Sequence, residues 1–481
     1  MQINRIIGRI LIWLLALTVG SGSLAADEAS LPVGESGEPG GEQNQPGVDR
    51  IVVEISTHHP RIRSRALEAA SLKELAEYAG WKYPDPKVGV AWSNLPYKKN
   101  LPVILDQTPM TGIEFSVRQP IPFPGRLSTQ AKVSDIAARQ DLLRLAVEKN
   151  TLAYEFLVDA SEAIVLDRLL RLNQDYARRF RLVSNVARTR YSVGRGSLAD
   201  VSRAELNFST FEQRSTEYEG RRQAKLAMLA YYLIPDSDTD PPDEDGTPAD
   251  EVQAQRLLRT LDAAGGLDSY RATLLEEVRS IGRDDKAVAA ASLDVAMADL
   301  ELRAVKERRR LASMEYLPDF EVFASYRERE KISGDPAFGE DFYSFGFTMT
   351  VPLWSALSAG SAVEAQEKRN RATRISRNEV VQRLQSRLRS LEANRRSLEE
   401  RIRLYQKSLI PQATRARDSA RLAYETGSID FFALLESWNA LFMQEAEVIR
   451  LRGERERLVF EEARLLNVIV PAYAADPEEI R

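Results

Sequence analysis

The chain offers few side chains that could do chemistry. Its only two histidines, His58 and His59, are adjacent and stand directly before Pro60. They border a segment expected to be flexible, so we expect surface residues rather than metal ligands or a general base. Cysteine is absent, which removes a disulfide, a thiolate metal site, a cysteine nucleophile and a cysteine-borne lipid. The densest carboxylates are Asp236, Asp238, Asp240, Asp243, Glu244, Asp245, Asp250 and Glu251, with no base among them. A calcium loop of the EF-hand type needs a central glycine and a terminal glutamate at fixed spacing. That spacing is missing, and the run reads as a solvated linker. The scattered Asp and Glu of the helical stretches read as solvated faces, and no glycine-rich phosphate loop occurs. Catalysis lacks its parts here: the expectation is no enzyme, no cofactor and no metal.

The totals agree. The chain has 481 residues, 43% hydrophobic and 28% charged, with 66 basic against 71 acidic residues and a net charge of −5. Neutralising phosphates takes a basic excess, so no nucleic-acid partner is expected. Arg5 and Arg9, an apolar run at 10–19 and then Ser23-Leu24-Ala25-Ala26 read as a secretory signal peptide, residues 1–26, cut after Ala25 or Ala26. Ten apolar residues are too few for a bilayer, which takes about 20, and no later run comes near that length.

The elements come next. Tyr343, Phe345, Phe347, Met349 and Val351 alternate with small polar residues and glycine until Pro352, a strand signal of period two. Residues 356–423 then read as one helix of roughly 65 residues, about 100 Å long at 1.5 Å per residue, interrupted at Pro411. Tyr424-Glu425-Thr426-Gly427 turns the chain, and a second long helix returns over 431–469. The same order occurs earlier. Ile113, Phe115 and Val117 alternate up to Pro120, a helix runs to about Arg190, Tyr191-Ser192-Val193-Gly194 turns the chain, and a return helix ends near Leu233. Tyr191 and Tyr424 are 233 positions apart, Pro120 and Pro352 are 232 apart, and Pro84 and Pro318 are 234 apart. Three agreeing offsets indicate an internal repeat. Each repeat has a second strand, at Val88-Gly89-Val90-Ala91-Trp92 and from Phe320 to Tyr326.

Within the first long helix, Leu142, Leu145, Leu152 and Phe156 form one apolar seam, and Leu143, Val147, Tyr154, Leu157 and Ile164 another. Two seams suit a helix wedged between two neighbours. In the second, Val381, Leu384, Leu388, Leu391, Leu398, Ile402, Tyr405 and Leu409 keep heptad spacing, with Arg395 the one intruder. Such helices far exceed the mean of about 11–12 residues and must project side by side. Four strands cannot close a barrel, for which about eight is the practical minimum, and open edges in lipid leave backbone groups unpaired. If the strands enter a membrane, identical chains must share one barrel.

Several motifs now line up: Pro84-Asp85-Pro86; Gln119-Pro120-Ile121-Pro122-Phe123-Pro124-Gly125; Val193-Gly194-Arg195-Gly196-Ser197-Leu198-Ala199-Asp200-Val201; Leu317-Pro318-Asp319; Val351-Pro352-Leu353-Trp354; and Tyr424-Glu425-Thr426-Gly427 leading to Leu434-Leu435-Glu436. Each is weak alone. In this order, over residues 58–470, the chain resembles the outer-membrane efflux protein family (TolC-like), more closely its heavy-metal and multidrug efflux branch.

The resemblance implies a mainly α fold with a small β part: two tandem repeats of long antiparallel helices plus four β-strands per protomer. Three protomers form a twelve-stranded outer-membrane barrel continued by an α-helical periplasmic tunnel. It divides the chain into the leader, a flexible segment at 27–57, a first repeat at 58–234, an acidic linker and equatorial insert at 235–283, a second repeat at 284–470 and a tail. It implies a passive exit duct of a tripartite efflux system, a homotrimer in outer-membrane lipid, working with a periplasmic adaptor and an inner-membrane transporter of the resistance-nodulation-division type. The duct of a type I secretion system is the runner-up, and a periplasmic coiled-coil scaffold is the reading from another class. The resemblance places Tyr191, Val193, Gly194, Arg195, Gly196, Ser197, Tyr424, Gly427 and Ser428 at the periplasmic tips that meet the adaptor. It makes Asp200, Tyr424 and Glu436 gate residues, with an Asp200–Tyr424 hydrogen bond in the closed form. Two departures stand out. Ile429-Asp430 occupies the region where the family often has a basic residue, and Ala433 stands where it often has an acid, so Glu436 forms a single acidic ring.

Overall fold

Gly125 and Gly194 bracket a helix of 67 residues, Arg126–Ser192, against which α-helices of both repeats pack. In the computed structural model, residues 47–79, 82–94, 111–194, 196–233, 248–263, 266–282, 284–329 and 340–470 are described. The expected leader, most of the acidic run, the loops between paired strands and the tail fall outside them.

The elements in chain order are α1 (Gly47–His58), α2 (Pro60–Ala79), β1 (Lys87–Ser93), β2 (Gly112–Ile121), α3 (Arg126–Ser192), α4 (Leu198–Tyr232), α5 (Pro248–Ala263), α6 (Gly266–Ile281), α7 (Asp285–Ala291), α8 (Leu293–Ser313), β3 (Asp319–Arg329), β4 (Phe342–Thr350), α9 (Ser355–Leu404), α10 (Ile410–Glu425) and α11 (Phe431–Leu465). The strands form one antiparallel sheet in the order β1-β2-β3-β4, so the two repeats join through β2 and β3. The expected strands and the two long hairpins, α3–α4 and α9–α10–α11, are all present.

Position 411 explains how the second long helix survives a proline. Proline has no N–H and crowds the carbonyl four residues back. Here the turn before it widens: Tyr405–Leu409 is a π segment, and the Ile410 N–H donates to the Tyr405 carbonyl. The helix continues as α10.

Apolar residues meet along the helices in separate clusters. One gathers Val48, Val52 and Ile55 of α1 with Leu152, Phe156, Leu229, Leu261, Tyr270 and Phe460. α1 is thus a packed helix that takes up the end of the segment, 27–57, expected to be flexible. A second cluster, nearer the hairpin turns, joins Tyr176, Phe180, Phe211, Leu434 and Phe442. Matching slots of the repeats meet there. The Asn439 amide donates to Asn207 at 2.9 Å, and Arg450 donates to the Tyr218 hydroxyl at 3.3 Å, both pairs 232 residues apart.

Two expectations need correction. His59 is buried, not at the surface. Its Nδ1 accepts the Arg61 N–H at 3.2 Å and its Nε2 faces the Tyr231 carbonyl at 3.3 Å. A ring that accepts at one nitrogen and donates at the other is neutral, and burial lowers its pKa. Arg395 is not an intruder in the α9 seam. It is buried with Leu391 and Leu398, its Nε donates to Glu462 at 3.2 Å, and its Nη1 donates to Glu399 at 3.0 Å.

Candidate duct wall and hairpin tips

The sheet has two unlike faces, set by alternation and register. Val88 pairs with Val117, Val117 with Ala324 and Ala324 with Phe345. Val90 pairs with Phe115, Phe115 with Tyr326 and Tyr326 with Tyr343. Strand neighbours share a face, so one face is aliphatic and aromatic across all four strands. It is not covered: Phe345 is 85% exposed and Val88 is 75% exposed. The opposite face carries Glu114, Arg118, Ser116, Glu321, Ser325 and Arg327. Arg327 reaches Glu114 at 2.7 Å and Arg118 reaches Glu321 at 3.6 Å. A soluble sheet turns its apolar face inward. This one exposes it, and β1 and β4 are sheet edges.

The hairpin turns lie at the far ends of the long helices, and both end on a left-handed glycine. In the second turn the Ser428 N–H donates to the Ala423 carbonyl at 2.8 Å and the Gly427 N–H to the Tyr424 carbonyl at 3.1 Å. With Gly427 at φ +77°, this is a Schellman end, which needs a left-handed residue. In the first turn the Gly194 N–H donates to the Tyr191 carbonyl at 3.0 Å with Gly194 at φ +73°. The return helices are then capped. Ser197 accepts from the Ala199 N–H at 3.1 Å while Asp200 accepts from the Ser197 N–H at 3.2 Å, a capping box. Asp430 alone caps α11, accepting from the Ala433 N–H at 2.9 Å. Ser197 and Asp430 are repeat equivalents, and so are Asp200 and Ala433. The second cap therefore makes one of the two bonds of the first, with no carboxylate at 433 to accept from the Asp430 N–H.

Tyr191, Val193, Gly194, Gly196, Ser197, Gly427 and Ser428 are exposed at the turns; Arg195 lies outside the described residues. The gate residues are not brought together within this chain. The Asp200 carboxylate serves its own helix cap. The Tyr424 ring packs against Phe431 at 5.6 Å, with the Arg190 guanidinium 4.5 Å above it. The expected Asp200–Tyr424 hydrogen bond is therefore not formed here. Glu436 is exposed on α11, one turn beyond Phe432, whose ring lies 5.2 Å from the Arg203 guanidinium. Arg190 and Arg203 were missed in the sequence. One signal existed for the first: Arg190 precedes Tyr191, whereas Ala423 precedes the equivalent Tyr424, so only the first repeat carries a cation at that slot.

Among the described residues no cluster of His, Asp or Glu could hold a metal, and no helix is long and apolar enough to cross a membrane. The outer membrane efflux protein family model matches residues 286–460. The comparison with curated proteins gives no match. Solved structures match at low identity over most of the chain. The outer membrane protein VceC of Vibrio cholerae is 12% identical over 88% of this chain and 96% of its own, with a TM-score of 0.65. The outer membrane channel MtrE of Neisseria gonorrhoeae is 12% identical over 88% and 90%, with a TM-score of 0.64. The outer membrane channel CmeC of Campylobacter jejuni is 9% identical over 90% and 89%, with a TM-score of 0.65. The proteins it resembles are channels, not enzymes.

Proposed function

We propose that this chain, which resembles the outer membrane efflux proteins in the sequence of its second repeat and in fold along most of its length, is the exit duct of a tripartite efflux system. Three copies share one barrel in the outer membrane, and their helices continue it as a tunnel into the periplasm. An inner-membrane pump of the resistance-nodulation-division type loads the duct through an adaptor that docks at the hairpin turns. The duct conducts passively.

One observation carries this reading: a sheet that exposes its apolar face, points its charges the other way and leaves both edges open. In lipid the exposed face is the stable one, and the charged face lines water. The edges are then the difficulty, because unpaired backbone groups in hydrocarbon cost several kcal/mol each. Pairing β4 of one copy with β1 of the next removes them, and three times four strands gives a closed ring. The strands, of 7, 10, 11 and 9 residues, are comparable to the 9–11 that cross a bilayer at a tilt.

The test is reconstitution. The protein should purify from outer membranes as a trimer that migrates faster unboiled than boiled, and it should form pores in planar bilayers. Deleting its gene should sensitise cells to some of the metals or drugs that the pump exports. A soluble periplasmic monomer without conductance rejects the proposal.

A further inference from the structure

Charge on the polar face of the sheet is not balanced evenly along the strands. Toward the ends away from the helices, Arg327 pairs closely with Glu114 at 2.7 Å. Further along β2, toward α3, Arg118 stands directly opposite Lys87, the first residue of β1. Like charges facing each other on neighbouring strands cost stability. Lys87 has no ion pair among the described residues, although Asp85 lies two positions before it. Arg118 has a carboxylate nearby, but Glu321 is 3.6 Å away, too far for a hydrogen bond. An aromatic ring takes part in holding the guanidinium there. Arg118 lies 5.7 Å from the centroid of Phe323, its register partner on β3. Phe323 in turn lies over Gly346 of β4, where a Cβ would come within 2.5 Å of the ring. All four strands thus contribute to one level of the sheet, and at that level both cations are exposed. β2 ends at Ile121 and α3 begins at Arg126, so this level lies at the helix end of the sheet.

We propose that Lys87 and Arg118, contributed by each copy, form a basic ring where the tunnel passes into the barrel, and that this ring biases the duct toward anionic solutes. The inference rests on the duct reading, which turns this face to the water-filled lumen. Rings of charged side chains are a general means by which pores select ions. The selecting charges then sit in the barrel, apart from the acidic Glu436 at the other end of the duct. Phe323 is a positioning residue: its ring, seated on Gly346, keeps the Arg118 guanidinium from closing onto Glu321.

The reversal potential of the purified trimer in planar bilayers under a potassium chloride gradient tests this, because it reads the ratio of chloride to potassium permeability. Lys87→Arg keeps the charge and should leave the ratio unchanged. Lys87→Gln and Arg118→Gln should each lower it severalfold, and Lys87→Glu should lower it most. Glu321→Gln removes the carboxylate beside Arg118 and should raise it. Phe323→Leu alters no charge, yet it frees the guanidinium to pair with Glu321 and should lower the ratio. A ratio unchanged in Phe323→Leu removes the positioning role. Each variant is first checked for the unboiled trimer band. Lys87 is exposed at a strand end, so its three variants keep the test decisive if those at Arg118 or Phe323 fail to assemble. A wild-type protein that forms no pore rejects the duct reading itself. Pores whose ratio is the same in Lys87→Gln and Lys87→Glu as in wild type reject the basic ring alone.

Discussion

Glu456 is a carboxyl group buried beside a hydroxyl, with the Ser161 Oγ donating to it at 2.6 Å. Burial pushes its pKa up, and Asp268 pushes the same way; the Ser161 hydrogen bond, Arg455 and Arg168 oppose this without cancelling it. A carboxyl raised above its unfolded value stabilises the fold fully below about pH 4 and loses that contribution as pH rises through the folded value, each unit being worth about 1.4 kcal/mol. Glu456→Gln keeps the shape and removes the titration. Thermal melts should then show wild type losing stability as pH rises above about 4, with the variant flatter and at least as stable at the upper end of the pH range. A variant that melts well below wild type at the upper end shows the charge to be needed. Arg395 and Glu462 are a buried pair with side chains 8% and 4% exposed; burial raises the Glu462 pKa too, and Arg395 opposes it. Removing one partner by Glu462→Leu should cost about 3–5 kcal/mol, and adding Arg395→Leu should restore most of it, read from the melting of the trimer. The heptad spacing shows that position 395 faces a neighbour. It does not show that the neighbour offers a carboxylate, because Glu462 lies 67 residues away. His59 was misread for the same reason: its neighbours in sequence suggest a surface, and the carbonyl that faces it is on Tyr231.

At the scale of elements, periodicity and breakers made the strands and long helices legible, since alternation and proline act locally. The tips were legible as turns but not as contacts. Glycine at 194 and 427 announces a left-handed residue, whereas the role of Asp200 depends on where its carboxylate goes, and it goes to the Ser197 N–H. Asp200→Ala should therefore fray the first turn of α4 at a cost of about 0.3–1.5 kcal/mol. Hydrogen exchange at the first backbone amides of α4 reports this directly. Asp430→Ala should do the same at the start of α11, where no second carboxylate shares the cap, so the loss there should be the larger of the two. Equal protection before and after both substitutions contradicts the capping account and returns Asp200 to a gating role. Pro411 was legible as an interruption, but the widened turn that absorbs it was not, because a missing donor can be met by a bend, a break or a π segment.

At the scale of the whole molecule, the offset of about 232 residues is written twice, first in the sequence and then in space, where Asn207 meets Asn439 and Tyr218 meets Arg450. What one chain leaves open is the covering of its sheet, and the chain's own tryptophans can report on that. Trp92 stands on the apolar face of β1, Trp354 follows β4 and is 83% exposed, and Trp438 packs far from the sheet under Arg179 and Arg417. Aromatic residues at strand ends gather at the headgroup level of a barrel. Variants keeping a single tryptophan, with the others changed to phenylalanine, can be placed in vesicles whose lipids carry bromine at set depths. Trp92, at the end of β1, and Trp354 should both be quenched most by bromine near the headgroups, and Trp438 by bromine at no depth. If all three respond only to a quencher dissolved in water, the apolar face is covered by protein rather than lipid, and the barrel built from three such sheets falls with it.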